Sequence, residues 1–170
     1  MIKKKLFKTP YQFYHLNFNY RSTGWFKDLE WIRHCRTING LAMTHKIECI
    51  AYVMMDTHSH MLIRSLDQQE NFFSEEILKT ISPEFHEPEF LETIRDSSQF
   101  LNAYRYIYRN PVEAGIVDRC EDYPYSTMNA LLGRSTQRLI VWDCLNLIQN
   151  PGRVLNWINQ DENRFKQNTW

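Results

Sequence analysis

Residues 46–65 read KIECIAYVMMDTHSHMLIRS, two runs of apolar and β-branched residues parted by the polar pair Asp56-Thr57. Runs of this length and composition predict two central strands joined as a hairpin, although Asp-Thr is not a pair that a type I′ turn prefers. A chain containing such a hairpin is committed to a sheet, and the hairpin also carries an oddity. His58 and His60 alternate along the second strand, so their side chains share one face with β-carbons about 7 Å apart, at about 3.3 Å of rise per residue. Leu62 lies on that face too, which puts the imidazoles near the strand's start, at a rim. Two readings follow. The histidines are ordinary exposed or core-satisfied strand residues, or they grip one cation between them; an H-x-H spacing alone does not choose.

The flanking segments predict what surrounds the hairpin. YQFYHLNFN (11–19) is aromatic with partial alternation and closes on YRSTG, a first strand and turn. From Trp25, the spacing of Phe26, Leu29, Ile32 and Arg33, with Asp28 and Glu30 in the first turn, predicts an amphipathic helix to about Asn39, where Asn-Gly marks an end. Residues 66–96 are acidic, lack clean periodicity and contain Pro83 and Pro88, which predicts short helices and loops that could act as a flap. SSQFLNAYRYIYRNPVEAGIV (97–117) predicts a helix from a serine cap to Asn110, stopped by Pro111 and Gly115. Beyond it, EDYPYSTMNALLG suggests a turn and short helix. The segment from about 134 to 170 predicts a helical extension, with a terminal helix from about Arg153.

The order strand, helix, strand, strand, helix is that of an α+β, ferredoxin-like antiparallel sheet with helices packed on one face, and its fourth strand has no evident sequence. At 170 residues, with no repeat or linker, the chain is expected to form one domain over 1–170. A 43% hydrophobic and 14% aromatic content excludes a disordered protein. Lys plus Arg (20) balance Asp plus Glu (20), so no global field recruits a polyanion and any nucleic-acid contact must rest on a local patch. Cys35, Cys49, Cys120 and Cys144 form no C-x-x-C pair, which argues against a zinc ribbon or redox dithiol. No apolar run has the length of a signal peptide or a membrane span, so the expectation is a reduced, cytoplasmic protein with no membrane partner.

The helix at 97–117 holds Tyr104, Tyr106 and Tyr108. Tyrosines at helical spacing usually pack, and Tyr104 with Tyr108 forms one such stripe. Tyr106, however, shares a face with Asn110, one turn on. A phenol nucleophile beside a neutral oxygen ligand and two imidazoles is a set suited to metal-assisted phosphodiester cleavage.

These same residues carry a resemblance. YVMMDTHSHMLI resembles the YVxMPNHxHLL strand pair, and RYIYRNPVEAGIV with DYPYSTMNALLG resembles the RYIxxNPVRAGLV and DYPWSS block, of the REP-associated tyrosine transposases, within the HUH single-strand transposase superfamily. The opening FYHLNFNYRSTGWF is similar to that family's first strand and loop. The match spans about 11–64 and 99–133. It implies an HUH fold in which His58, His60 and Asn110 bind a divalent Mg²⁺ or Mn²⁺ and Tyr106 is the nucleophile. It further implies cleavage and rejoining of single-stranded DNA beside hairpins through a 5′-phosphotyrosine, by a monomer or a homodimer. Candidate DNA contacts are the basic start, Arg21, Arg64, Arg105 and Arg109, with Tyr20 and Trp25 as stacking faces.

The chain departs from the family's pattern at several points. The stretch between the second histidine and the tyrosine is acidic and lacks the family's basic signature, Ser59 stands where a bulky apolar residue is usual, and Glu113 where arginine is common. These differences open an alternative, a weakened or domesticated relative that binds hairpin DNA or RNA without cutting it. A third, plainer expectation is an α+β domain whose histidines are structural.

Overall fold

The computed structural model describes residues 12–19, 27–81, 90–135 and 139–160. In chain order the elements are β1 (Gln12–Asn19), α1 (Lys27–His45), β2 (Ile47–Met54), β3 (His58–Ser65), α2 (Glu70–Ile81), β4 (Phe90–Ile94), α3 (Ser97–Glu113), a 3₁₀ turn (Cys120–Asp122), α4 (Thr127–Leu131) and α5 (Pro151–Asn159). The strands form one antiparallel sheet in the order β2-β3-β1-β4. The expected hairpin is there, closed by the Met55 N–H donating to the His58 carbonyl at 2.8 Å. A bulge between Cys49 and Ala51 lets Cys49 and Tyr52 reach the same face despite their odd spacing.

The fourth strand is β4, and the second helix of the ferredoxin-like unit is α2; both lie within the acidic segment expected to be short helices and loops. α2 forms because Phe73, Ile77, Leu78 and Ile81 recur on one buried face while Glu75 and Glu76 stay in solvent. α1 and α2 cover the sheet face that carries Tyr14, Leu16, Phe18, Met61 and Ile63. The expectation of helices on one face holds for this pair and is corrected for the rest of the chain. Phe13, Ala51, Val53, Leu62 and Ile94 give the opposite face an apolar core of its own, and it is covered by α3, α4 and α5.

Two helix boundaries also differ from the sequence reading. α1 runs through Gly40 to His45. An interior glycine costs about 1 kcal/mol relative to alanine, but Leu41 and Ala42 beyond it still pack on the core. α3 is capped by Asp96 rather than a serine, its carboxylate accepting from the backbone N–H groups of Ser98 (2.8 Å) and Gln99 (2.9 Å). It passes through Pro111 to Glu113, and Gly115 at φ +70° turns the chain away.

The outer edge of β2 is closed by the segment after α3. Met54 N–H donates to the Tyr125 carbonyl (3.0 Å), the Tyr123 hydroxyl to the Met54 carbonyl (2.7 Å), and Tyr52 N–H to Thr127 Oγ1 (2.9 Å). The four cysteines are free thiols. Among the described residues no helix is long and apolar enough to cross a membrane.

Candidate functional site

Register explains why the histidines stand where they do. β3 lies between β2 and β1, so the side chains of His58, His60, Leu62 and Arg64 rise toward the α3 face, with Asn19 opposite His58 and Asn17 opposite His60 on β1. Leu62 belongs to the core beneath α3. His60, one step toward the strand's start, is 3% exposed, and His58 at the first position is half-buried. Their ring centroids are 5.0 Å apart and the planes nearly perpendicular, at 76°.

α3 brings the phenol. Phe100, Ala103, Tyr104, Ile107 and Tyr108 face the sheet, which leaves Tyr106 on the helix flank, 43% exposed. Its ring meets His60 edge-on, centroids 5.2 Å apart at 72°. Tyr104 and Tyr108 are each 1% exposed, and burial raises both hydroxyls' pKa far from any ionising range. Asn110 is half-buried, one turn beyond Tyr106 on the same helix.

The sequence reading did not single out a third imidazole. His15 on β1 is 5% exposed, and its Nε2 lies 3.3 Å from His60 Nδ1, a hydrogen bond between rings. His15 also meets Tyr106, centroids 5.9 Å apart at 69°. Burial pushes His15 down to about 4 from an ordinary 6.5. Burial, with His15 and His58 alongside, pushes His60 down to about 3. Both rings are therefore neutral near pH 7 and keep a lone pair. His58 Nδ1 lies 3.1 Å from the Thr57 hydroxyl.

Among the described residues no three His, Cys, Asp or Glu side chains gather into a group that could hold a metal. A cation could be held by the His58–His60 pair only as a two-point chelate, completed by neutral oxygens such as the Asn110 carboxamide and by the oxygens of a substrate. Neutral imidazoles suit that arrangement, and an open shell is what a phosphate ligand requires. Beside the phenol lies an open cleft of ≈ 390 Å³ lined by His15, Glu92, Ile94, Gln99, Asn102, Ala103 and Tyr106.

Arg64, Arg105 and Arg109 are engaged with partners inside the fold. Arg64 donates to Glu48 (2.6 Å) and stacks on the Trp142 ring at 3.8 Å. Arg105 and Arg109 reach the Ile158 carbonyl at the end of α5 (3.3 and 3.2 Å), and Arg109 also contacts Glu113 (3.2 Å). Arg21, Trp25, Tyr20 and the basic start lie outside the described residues.

No protein-family model matches the chain, and no curated protein matches it in sequence. Among solved structures it is similar to a REP-associated tyrosine transposase bound to a REP hairpin, with a TM-score of 0.57 and 24% identity over 78% of this chain and 84% of that one. The likeness is one of fold: the four-stranded antiparallel sheet with its helices is an α+β architecture shared with that structure.

Proposed function

We propose that the chain is a metal-dependent tyrosine endonuclease and strand transferase acting on single-stranded DNA beside hairpins. The observation carrying this reading is that the one exposed phenol of the tyrosine helix, Tyr106, packs on His60 of the H-x-H pair while its neighbours Tyr104 and Tyr108 are buried. The fold likeness to a transposase bound to a hairpin supports the substrate class.

In this reading His58, His60 and Asn110 hold Mg²⁺ or Mn²⁺. When bound, the cation supplies Lewis-acid stabilisation of charge on the scissile phosphate. Tyr106 Oη attacks phosphorus, the P–O3′ bond breaks, and the phenolic proton ends on the departing 3′-oxygen. The products are a 5′-phosphotyrosine and a free 3′-hydroxyl, and attack by another 3′-hydroxyl reverses the step and transfers the strand. Arg21, Trp25, Arg64, Arg105 and Arg109 remain the proposed DNA contacts; Arg64, Arg105 and Arg109 reach a strand only where their internal partners leave donors over.

The test is incubation with labelled hairpin-flanked oligonucleotides and Mn²⁺. A denaturant-resistant adduct is expected that chelator, His58→Ala or His60→Ala removes. Hairpin binding with no adduct under any metal supports the alternative, a relative that binds hairpin DNA or RNA without cleavage. An adduct indifferent to chelator overturns the metal's part.

A further inference from the structure

We infer that His15 is a positioning residue that holds the His60 ring in one tautomer and one orientation, so that its Nε2 lone pair is presented to the cation. The inference rests on the proposed metal site. His60 is confined on a strand whose register is set by β1 on one side and β2 on the other, yet that register leaves a side-chain ring free to rotate about its own bonds. Ring packing against His58 and Tyr106 limits that rotation, and the contact that distinguishes one nitrogen from the other is the hydrogen bond between His60 Nδ1 and His15 Nε2, 3.3 Å long and buried. Its two ends sit on adjacent strands of the sheet, one step diagonally apart, since His15 stands opposite Leu62 and Asn17 opposite His60. Tyr106 closes over both rings, at 5.2 and 5.9 Å between centroids.

The chemistry fixes the direction of the bond. A neutral imidazole carries one N–H, and a ring that offers Nε2 to a metal must carry it on Nδ1. His60 Nδ1–H therefore donates, His15 Nε2 accepts, and His15 holds its own proton on Nδ1. An unconstrained neutral histidine has no such bias, and outer partners of metal-bound histidines are worth about 10- to 100-fold in metal affinity. His15 thus couples β1 to the metal site without itself being a ligand of the cation, and it ties the nucleophile's resting place to the same pair of rings.

The experiment reads tautomer and metal affinity separately from turnover. Imidazole ¹⁵N NMR of the metal-free protein at pH 7 is expected to show His60 protonated on Nδ1. His15→Leu is expected to lose that preference and to weaken Mn²⁺ binding, followed by the electron-spin resonance of free Mn²⁺, by about 10- to 100-fold. Glutamine carries its amide oxygen the same number of bonds from Cα as Nε2, so His15→Gln is expected to restore the tautomer and most of the affinity. Thermal melting of both variants shows which of them fold. A wild-type His60 protonated on Nε2, or equal Mn²⁺ affinity in wild type and His15→Leu, overturns the inference. If His60→Ala leaves Mn²⁺ binding intact, the metal site itself is wrong, and the presentation of a lone pair to it falls with that site whatever the tautomer.

Discussion

Thr127→Val probes how the segment after α3 is locked to the sheet and to the tyrosine helix. Thr127 is fully buried, and its hydroxyl accepts from Tyr52 N–H at 2.9 Å, donates to the Tyr52 carbonyl at 3.2 Å and meets the Tyr108 hydroxyl at 2.9 Å. Its single proton is spent on the carbonyl, so Tyr108 must be the donor to it. Valine keeps the shape and removes the hydroxyl, stranding the Tyr52 N–H and the Tyr108 O–H in the interior. Each stranded group costs about 1–3 kcal/mol, and the expected loss is about 3 kcal/mol. For a domain of this size that lowers the melting temperature by about 6–12 °C. Tyr108→Phe alone should cost about 1 kcal/mol, and the double variant should lose about 1 kcal/mol less than the sum, because the stranded phenol is then absent. Urea unfolding followed by tryptophan fluorescence at pH 7 gives all three values. A loss below about 0.5 kcal/mol for Thr127→Val, or strict additivity with Tyr108→Phe, refutes the lock.

Acid should act through His34 as well as through the site. His34 is 1% exposed, hydrogen-bonded to the Tyr52 hydroxyl at 2.6 Å, and lowered to about 4 by burial and then by Arg33. Below an unfolded value of about 6.5 the unfolded chain takes up a proton that the folded one refuses, so stability is complete above that pH and falls toward 4, at up to about 1.4 kcal/mol per pH unit for one group. The gap between urea midpoints at pH 7 and pH 5 should therefore be smaller in His34→Gln than in wild type, with the remainder due to His15 and His60, and an unchanged gap contradicts the assignment. Asp96→Ala removes the cap of α3 and should cost about 1 kcal/mol, measured by the same unfolding curves, whereas Ser97→Ala should cost little; equal losses would place the cap on the wrong residue.

The parts of the fold that were legible are those with a local signature. The hairpin of β2 and β3 shows two apolar runs around a polar pair, and α3 shows a long apolar stripe, so both stand close to where the sequence puts them. β4 does not announce itself, because Phe90–Ile94 is a five-residue strand beside two prolines and several acids, paired among the described residues with β1 alone. α2 is obscured by the same acids until the sheet shows which side of the helix is buried. The second covered face of the sheet is legible only from register, since Phe13, Leu62 and Ile94 are apolar in sequence but share a face only after pairing. At the site, spacing puts His58 and His60 on one strand face and Tyr106 on one helix face with Asn110, but their roles are suggested only once the family resemblance is added. His15 is one of four polar residues in an aromatic strand, with nothing nearby in sequence to mark it, and becomes a neighbour of His60 through strand pairing.

The central claim is that the phenol at position 106 attacks the phosphate, and the adduct itself can be interrogated. Covalent product on a hairpin-flanked oligonucleotide, digested with nuclease and trypsin, yields one peptide carrying Tyr104 and another carrying both Tyr106 and Tyr108, because Arg105 and Arg109 bracket the latter pair. Fragment masses should place the phosphonucleotide on Tyr106, with Tyr106→Phe giving no adduct. A nucleotide on Tyr104 or Tyr108, or an adduct undiminished in Tyr106→Phe, contradicts the account.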